Sequence, residues 1–258
     1  MINDIRHPFI QQIQKLRKRE HRHKTGMVIV EGYPEVKRAY EAKVLFQELY
    51  ICPELVVEDW SIFQNIKITE VSKEVFSAIA FGSRLKGILA VCQPEILRLT
   101  DLKIKTNPFF VILENVEKPG NLGGVIRTCD GAGVDAVIMC DGKTDIYNQH
   151  VVRSSIGTVF TVPTVSTDKQ TLLAFLRSHQ IQIFAATAHA QHVYTQADFV
   201  QPAALLIGNE HEGVSSFWFE QAYQKIKIPM QGQASSLNAS TSAAILIYEA
   251  LRQRQVLN

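Results

Sequence analysis

Three short segments in the second half of the chain gather the groups that small-molecule and phosphate chemistry needs. The first, Asn121-Leu122-Gly123-Gly124-Val125-Ile126-Arg127, follows Pro119-Gly120 at the expected start of a helix. Glycines there let the backbone approach a ligand, and a helix N-terminus favours negative charge. Arg127 adds a forked, permanently charged donor suited to a phosphate, although an arginine this far into a helix is, in isolation, more often a surface or ion-pair residue. In the second, Gly208-Asn209-Glu210-His211-Glu212-Gly213, two glycines bracket polar side chains. That suits a ligand-contact turn and equally a tight structural turn. The third runs from Ile228-Pro229-Met230 through Gly232 to Ser235-Ser236-Leu237-Asn238-Ala239-Ser240. One Ser or Asn is enough to cap the helix that follows, and four of them exceed that need.

Other chemistries fit less well. The glycines at 120–124 do not have the G-x-G-x-x-G spacing of a dinucleotide site. Asp141-Gly142-Lys143-Thr144 ends like a nucleoside-triphosphate loop, but Val137 occupies the place of the required first glycine. His189 and His192 have no third ligand nearby in sequence, so no metal site is expected. Cys52, Cys92, Cys129 and Cys140 show no paired spacing and read as reduced, buried thiols.

The elements that must position these residues follow from the apolar pattern. Phe109–Leu113, Ala136–Met139, Ile181–Ala186 and Ala203–Ile207 are short, nearly uninterrupted apolar runs, the pattern of parallel strands buried on both faces. Helical stretches at 121–133, 169–179 and 243–250 complete a βαβ reading. In such sheets ligands sit beyond the carboxyl ends of the strands, which is where the three segments fall. Upstream, Phe9, Ile10, Ile13, Leu16 and Arg17 share one face of a short helix. Strands are expected near 27–30, 49–52, 66–69 and 87–91, with helices at 33–43 and 55–65. The alternating, Pro-terminated stretch 95–108 separates an α/β domain over 1–100 from a parallel α/β domain over 107–258.

Composition adds little by itself: the net charge is +2, and the 46% hydrophobic fraction is that of a globular protein. Local charge is more telling. Lys15, Arg17, Lys18, Arg19, Arg22 and Lys24 form a cationic run that suits a phosphate backbone, though a solvated helix face explains it equally well. No apolar run reaches membrane-spanning length and no apolar signal core begins the chain, so a cytoplasmic location is expected.

Taken in order, the three segments resemble the motifs of the SpoU (TrmH-type) RNA ribose methyltransferases. Asn121, Gly123 and Arg127 match the first motif; Gly208, Glu210 and Gly213 the second; Ile228, Pro229, Met230, Gly232, Ser236, Leu237, Asn238 and Ser240 the third. The resemblance covers about 107–258, with Cys129 and Thr241 standing where the family usually has Ala and often Val. More loosely, Arg22, Gly26, Val30-Glu31-Gly32 and Gly87–Ala90 resemble the substrate-binding domain that often precedes it. The resemblance implies a C-terminal parallel sheet closed by a trefoil knot, homodimers with the site near the subunit interface, and S-adenosylmethionine as methyl donor. The substrate would be the 2′-hydroxyl of an rRNA or tRNA ribose. It implies cofactor contacts at Thr187, Gly208, Ile228, Met230 and Leu237, and a catalytic set of Arg127, Asn121, Ser236 and Asn238, with Asn121 orienting Arg127. In this family the arginine is the proposed base; a guanidinium gives up its proton with difficulty and can instead clamp the adjacent phosphate, so both roles stay open. Glu210 is expected to brace the substrate side of the cofactor loop, and Arg17, Lys18, Arg19 and Arg22 to contact RNA. A protein that keeps the fold but binds RNA without catalysis is the alternative.

Overall fold

The computed structural model describes residues 1–82 and 85–255; the last three residues of the domain expected over 107–258 lie outside this range. The chain divides into two compact units, Met1–Glu95 with Asp145–Thr161, and Ile96–Thr144 with Val162–Asn258. The first break falls after Glu95, at the start of the 95–108 stretch. The return of Asp145–Thr161 to the first unit is a difference from a single division.

In the first unit, α1 (Pro8–Lys15) and α2 (Arg19–Thr25) precede β1 (Val28–Glu31), α3 (Tyr33–Glu41), β2 (Leu45–Ile51), β3 (Ile68–Glu70), α4 (Lys73–Ile79) and β4 (Ile88–Gln93). Pro8 pre-sets the first turn of α1, and its Ile10, Ile13 and the following Leu16 are buried at helical spacing. Phe9, expected on that face, is exposed. Ser72 caps α4 by accepting the Val75 N–H. The sheet order is β1-β4-β2-β3, antiparallel except for the β2/β3 pair. Ile10, Ile13, Ile29, Tyr50, Val75, Phe76 and Leu89 form the core on one of its faces. The helix expected over 55–65 does not form. Asp59 instead accepts the Ser61 N–H and hydroxyl at 2.9 Å each, a local turn leading into a single 3₁₀ turn at Ser61–Phe63.

The second unit begins with β5 (Phe109–Glu114), α5 (Pro119–Ala132) and β6 (Ala136–Cys140). The chain then contributes α6 (Gln149–Ser154) to the first unit before β7 (Thr164–Thr167), α7 (Lys169–Ser178), β8 (Gln182–Ala186) and β9 (His192–Val193). The rest is β10 (Ala203–Ile207), α8 (Ser216–Gln221), β11 (Gln224–Lys227) and α9 (Ala239–Gln255). All strands pair in parallel, in the order β7-β6-β5-β10-β8-β11-β9. Every residue of β5, β6 and β10 is buried, as their apolar runs require. Strand β10 enters between β5 and β8, and β11 between β8 and β9, so the last strands interleave with earlier ones. Register then does the positioning: Ile207 sits opposite Leu113 and Ala186, and Ala186 opposite Ile226. The loops after β5, β8, β10 and β11 therefore leave the sheet at one edge.

Candidate active site

The loops after β8, β10 and β11 surround a cavity of about 300 Å³, at the lower end of the range for small-molecule sites. Its wall takes Thr187 from the loop after β8, Gly208–Val214 from the loop after β10, and Ile228, Met230 and Ser235–Leu237 from the loop after β11. Leu246 of α9 and Phe219 of α8 add apolar surface.

The loop after β10 is built for close approach. Asn209 and Gly213 exchange backbone hydrogen bonds at 3.0 Å, with Gly213 at φ +72°. A Cβ on Gly208 would stand 2.1 Å from the Gly213 carbonyl carbon and 2.3 Å from the Val214 nitrogen, both backbone atoms that cannot swing aside. Asn209 holds the turn from within: its Oδ1 accepts the His211 and Glu212 N–H groups, and its Nδ2 donates to the Asn115 carbonyl at 2.9 Å. Asn115 is left-handed, at φ +53°, directly after β5.

A chain of side-chain amides ties the three segments together. Asn121, buried in the first turn of α5, donates from Nδ2 to Glu210 Oε1 at 2.6 Å. Its Oδ1 accepts from Asn238 Nδ2 at 3.0 Å, and Asn238 Oδ1 accepts the N–H (2.9 Å) and hydroxyl (2.7 Å) of Ser240 at the start of α9. The Glu117 N–H also faces Glu210 Oε2, at 3.4 Å. Burial pushes the Glu210 carboxyl up, but the Asn121 side chain and the backbone N–H groups of Glu210, Glu117 and Lys118 outweigh it and hold the group below its ordinary value. Glu210 is thus an anchored carboxylate at neutral pH and a weak base.

Residues 108–248 match the model of the SpoU rRNA Methylase family, and residues 7–90 that of the MRM3-like substrate binding domain. The chain belongs to the SpoU rRNA methylase family. It is 28% identical over 247 residues to the 23S rRNA (guanosine(2553)-2′-O)-methyltransferase RlmP of Bacillus subtilis strain 168, covering 96% of this chain and 97% of that one. A crystal structure of an RNA 2′-O ribose methyltransferase superposes with a TM-score of 0.89 at 33% identity, over 98% of this chain and 99% of the other. The SpoU methyltransferase AviRb of Streptomyces viridochromogenes, in complex with the cofactor AdoMet, gives 0.88 at 26% identity, over 97% and 99%.

Within this SpoU chain the five residues expected at the cofactor, Thr187, Gly208, Ile228, Met230 and Leu237, line one cavity together with Ser236 and Glu210. Asn121 and Asn238 stand outside its lining and act on it through the amide chain. Arg127 does not line the cavity; it is exposed on α5. The expectation that Asn121 orients Arg127 is corrected: both ends of the Asn121 amide are engaged, by Glu210 and Asn238. His189 lines the cavity and His192 lies on edge strand β9. Among the described residues no three His, Cys, Asp or Glu side chains gather in a way that could hold a metal ion.

The basic run of this SpoU chain divides in the structure. Lys15, Lys18, Arg19 and Lys24 are exposed. Arg17 is exposed too, but its Nη2 donates to the carbonyls of Ala78 (3.0 Å) and Ala80 (2.6 Å) at the negative end of α4. Arg22 is the correction. Its side chain is 4% exposed, ion-paired to Asp145 at 2.6 Å and bonded to the Leu16 and Arg17 carbonyls, so it has no face left for RNA.

Sequence reasoning missed the roles of Asn115 and Asn209, which shape the loop, and missed Phe219, Ser242 and Leu246, which line the cavity. An Asn directly after a strand end, at 115 and again near 208–209, was the available signal for a left-handed or side-chain-closed turn.

Proposed function

We propose that this SpoU enzyme binds S-adenosylmethionine in the cavity beyond β8, β10 and β11 and methylates a ribose 2′-hydroxyl of large-subunit ribosomal RNA. One observation carries the reading: the loops after β8, β10 and β11 of a SpoU domain line one small-molecule cavity, and the last two are tied to the start of α5 through Asn121.

The residues present suit the cofactor. Ile228, Met230, Leu237 and Leu246 offer an apolar surface for a purine, while the Ser235 and Ser236 hydroxyls and the loop backbone suit its polar ends. The anchored Glu210 carboxylate at the wall favours a ligand carrying positive charge. When bound, the cofactor supplies an electrophilic methyl group on a sulfonium. The enclosing loops exclude water and fix the line along which an attacking oxygen must come. Glu210, held ionised by its donors, braces the loop and does not take the hydroxyl proton. Arg127 clamps the phosphate next to the target ribose and orients its 2′-oxygen.

The proposal includes a homodimer, a cytoplasmic location and RNA contact through Lys18 and Arg19. Support for the dimer comes from Arg127, which is exposed outside the lining of its own chain's cavity and so is available to complete the cavity of a second copy. No helix among the described residues is long and apolar enough to cross a membrane.

The test is transfer of labelled methyl from S-adenosylmethionine to unmodified 23S rRNA, with the product nucleotide mapped as a 2′-O-methyl ribose. Tight cofactor binding without transfer to any ribosomal or transfer RNA would favour an RNA-binding role without catalysis.

A further inference from the structure

The crossover between β6 and β7 of the catalytic sheet does not stay with that sheet: Asp145–Thr161 packs as part of the N-terminal unit. Asp145 opens the segment and meets Arg22 of α2, with both side chains at most 10% exposed. Asp145 Oδ2 accepts from Arg22 Nη2 at 2.6 Å and from Nε at 2.8 Å, a two-pronged pair on a single oxygen. The remaining Arg22 nitrogen, Nη1, donates to the carbonyls of Leu16 and Arg17, which lie at the corner between α1 and α2. Asp145 Oδ1 accepts the Tyr147 N–H, so the carboxylate is itself held in place.

This corner carries the exposed cations Lys15, Lys18, Arg19 and Lys24. Helix α2 has seven residues, too few to be stable in isolation. Its orientation depends on Arg22, and Arg22 depends on Asp145 for charge. The crossover is fixed at its other end as well. Arg38 Nη1 donates to the Ile156 carbonyl at 2.8 Å. Gly157, at φ +79°, passes so close to α3 that a Cβ there would lie 2.9 Å from Glu35 Cα.

We infer that Asp145 is a positioning residue for RNA recognition. It sets the α1–α2 corner through Arg22, so that Lys18 and Arg19 are presented together as a phosphate-binding pair. The inference rests on the reading that these two cations contact RNA.

The experiment uses the full chain carrying Asp145→Asn, which keeps the shape and the hydrogen-bonding oxygen but removes the charge. The expected result is a KM for an unmodified 23S rRNA transcript raised on the order of tenfold. The kcat at saturating RNA and the affinity for S-adenosylmethionine stay unchanged, and backbone amides of residues 15–26 exchange faster. Arg22→Lys, which keeps a positive charge at the corner, should fall between wild type and Asp145→Asn. An unchanged KM overturns the inference, as does a joint loss of kcat, cofactor affinity and cooperative unfolding, since that marks a general structural role. A Lys18→Gln/Arg19→Gln chain separates the two readings. If it raises KM while Asp145→Asn does not, only the role of Asp145 fails. If it leaves both KM and salt dependence unchanged, the RNA-contact reading fails and the inference goes with it.

Discussion

Asn121 Nδ2 lies 2.6 Å from Glu210 Oε1, joining the first turn of α5 to the loop after β10 across 89 residues of sequence. The contact fixes which way the amide faces: its NH₂ must point to the carboxylate, which leaves its oxygen for the Asn238 NH₂. One side chain thereby ties the start of α5 to the two loops, after β10 and after β11, that line the cavity.

Asn121→Asp should be the most damaging substitution in this network, because it sets two carboxylates against each other where a donor is needed. Asn121→Ala removes two hydrogen bonds and should cost about 1–3 kcal/mol of stability, measured by denaturant unfolding. It should also weaken cofactor binding, measured calorimetrically. The pH dependence has a definite sign. The Glu210 carboxyl is held below the ordinary carboxylate value of 4.5, so its stabilising contribution is fully present above that value and is lost as the pH falls through its lower folded-state pKa. Wild type should therefore lose loop order and cofactor affinity on acidification below about pH 4.5, and Glu210→Gln should flatten that part of the profile. An identical acid limb in the two proteins would remove Glu210 from the account.

The strand ends that place this network could be read from composition, and the network itself could not. Phe109–Leu113 and Ala203–Ile207 declare themselves because a parallel strand covered on both faces needs an unbroken apolar run. Their adjacency depends on β10 entering between β5 and β8, which no local pattern encodes. Strand β7 (Thr164–Thr167), an edge strand with polar residues, escaped the same reading. Asn121, Glu210 and Asn238 each belonged to a recognisable motif, yet their pairing spans 89 and 117 residues and has no sequence signature. Arg22 shows the opposite failure. Among so many cations it looks like its neighbours, and only the position of Asp145, supplied by a distant crossover, marks it as buried.

Gly208 should accept no side chain. The Cβ of Gly208→Ala would collide with the Gly213 and Val214 backbone, and relief requires the loop after β10 to open. The cost should reach or exceed the roughly 1–3 kcal/mol typical of overpacking. The expected outcome is a folded protein, judged by far-ultraviolet circular dichroism, with cofactor binding lost. Wild-type affinity in Gly208→Ala would show that the loop does not hold the cofactor through close backbone approach.

The divided basic run predicts two different phenotypes from the same substitution type. Lys18→Gln and Arg19→Gln remove exposed charge, so each should leave stability within about 0.5 kcal/mol of wild type. Each should lower the slope of log affinity for RNA against log salt by up to about 0.9, depending on how duplex-like the bound RNA is. Arg22→Gln should instead destabilise the protein by about 3–5 kcal/mol, because it strands the buried Asp145 carboxylate. Thermal unfolding and salt titrations of the three variants separate positioning from contact; equal salt slopes with equal stabilities would refute the division.

Arg127→Ala should abolish methyl transfer while leaving cofactor affinity and stability near wild type. Its side chain is exposed and is not part of the cavity lining, so removing it should leave no void and no unpaired buried group. Arg127→Lys distinguishes its possible roles: a phosphate clamp retains partial activity through the lysine charge while losing the two-pronged geometry. The location of the residue outside its own cavity leads to the sharper measurement. Mixing Arg127→Ala chains with Gly208→Ala chains, after dissociation and reassociation, should restore part of the wild-type rate, because one mixed site then combines an intact cofactor loop with an intact arginine from the other copy. If each variant proves to be a dimer in solution and every mixture stays inactive, Arg127 must act within its own chain. The segment from Asn121 to Arg127 would then have to swing toward the cavity on RNA binding, a movement visible as altered exchange of the α5 amides.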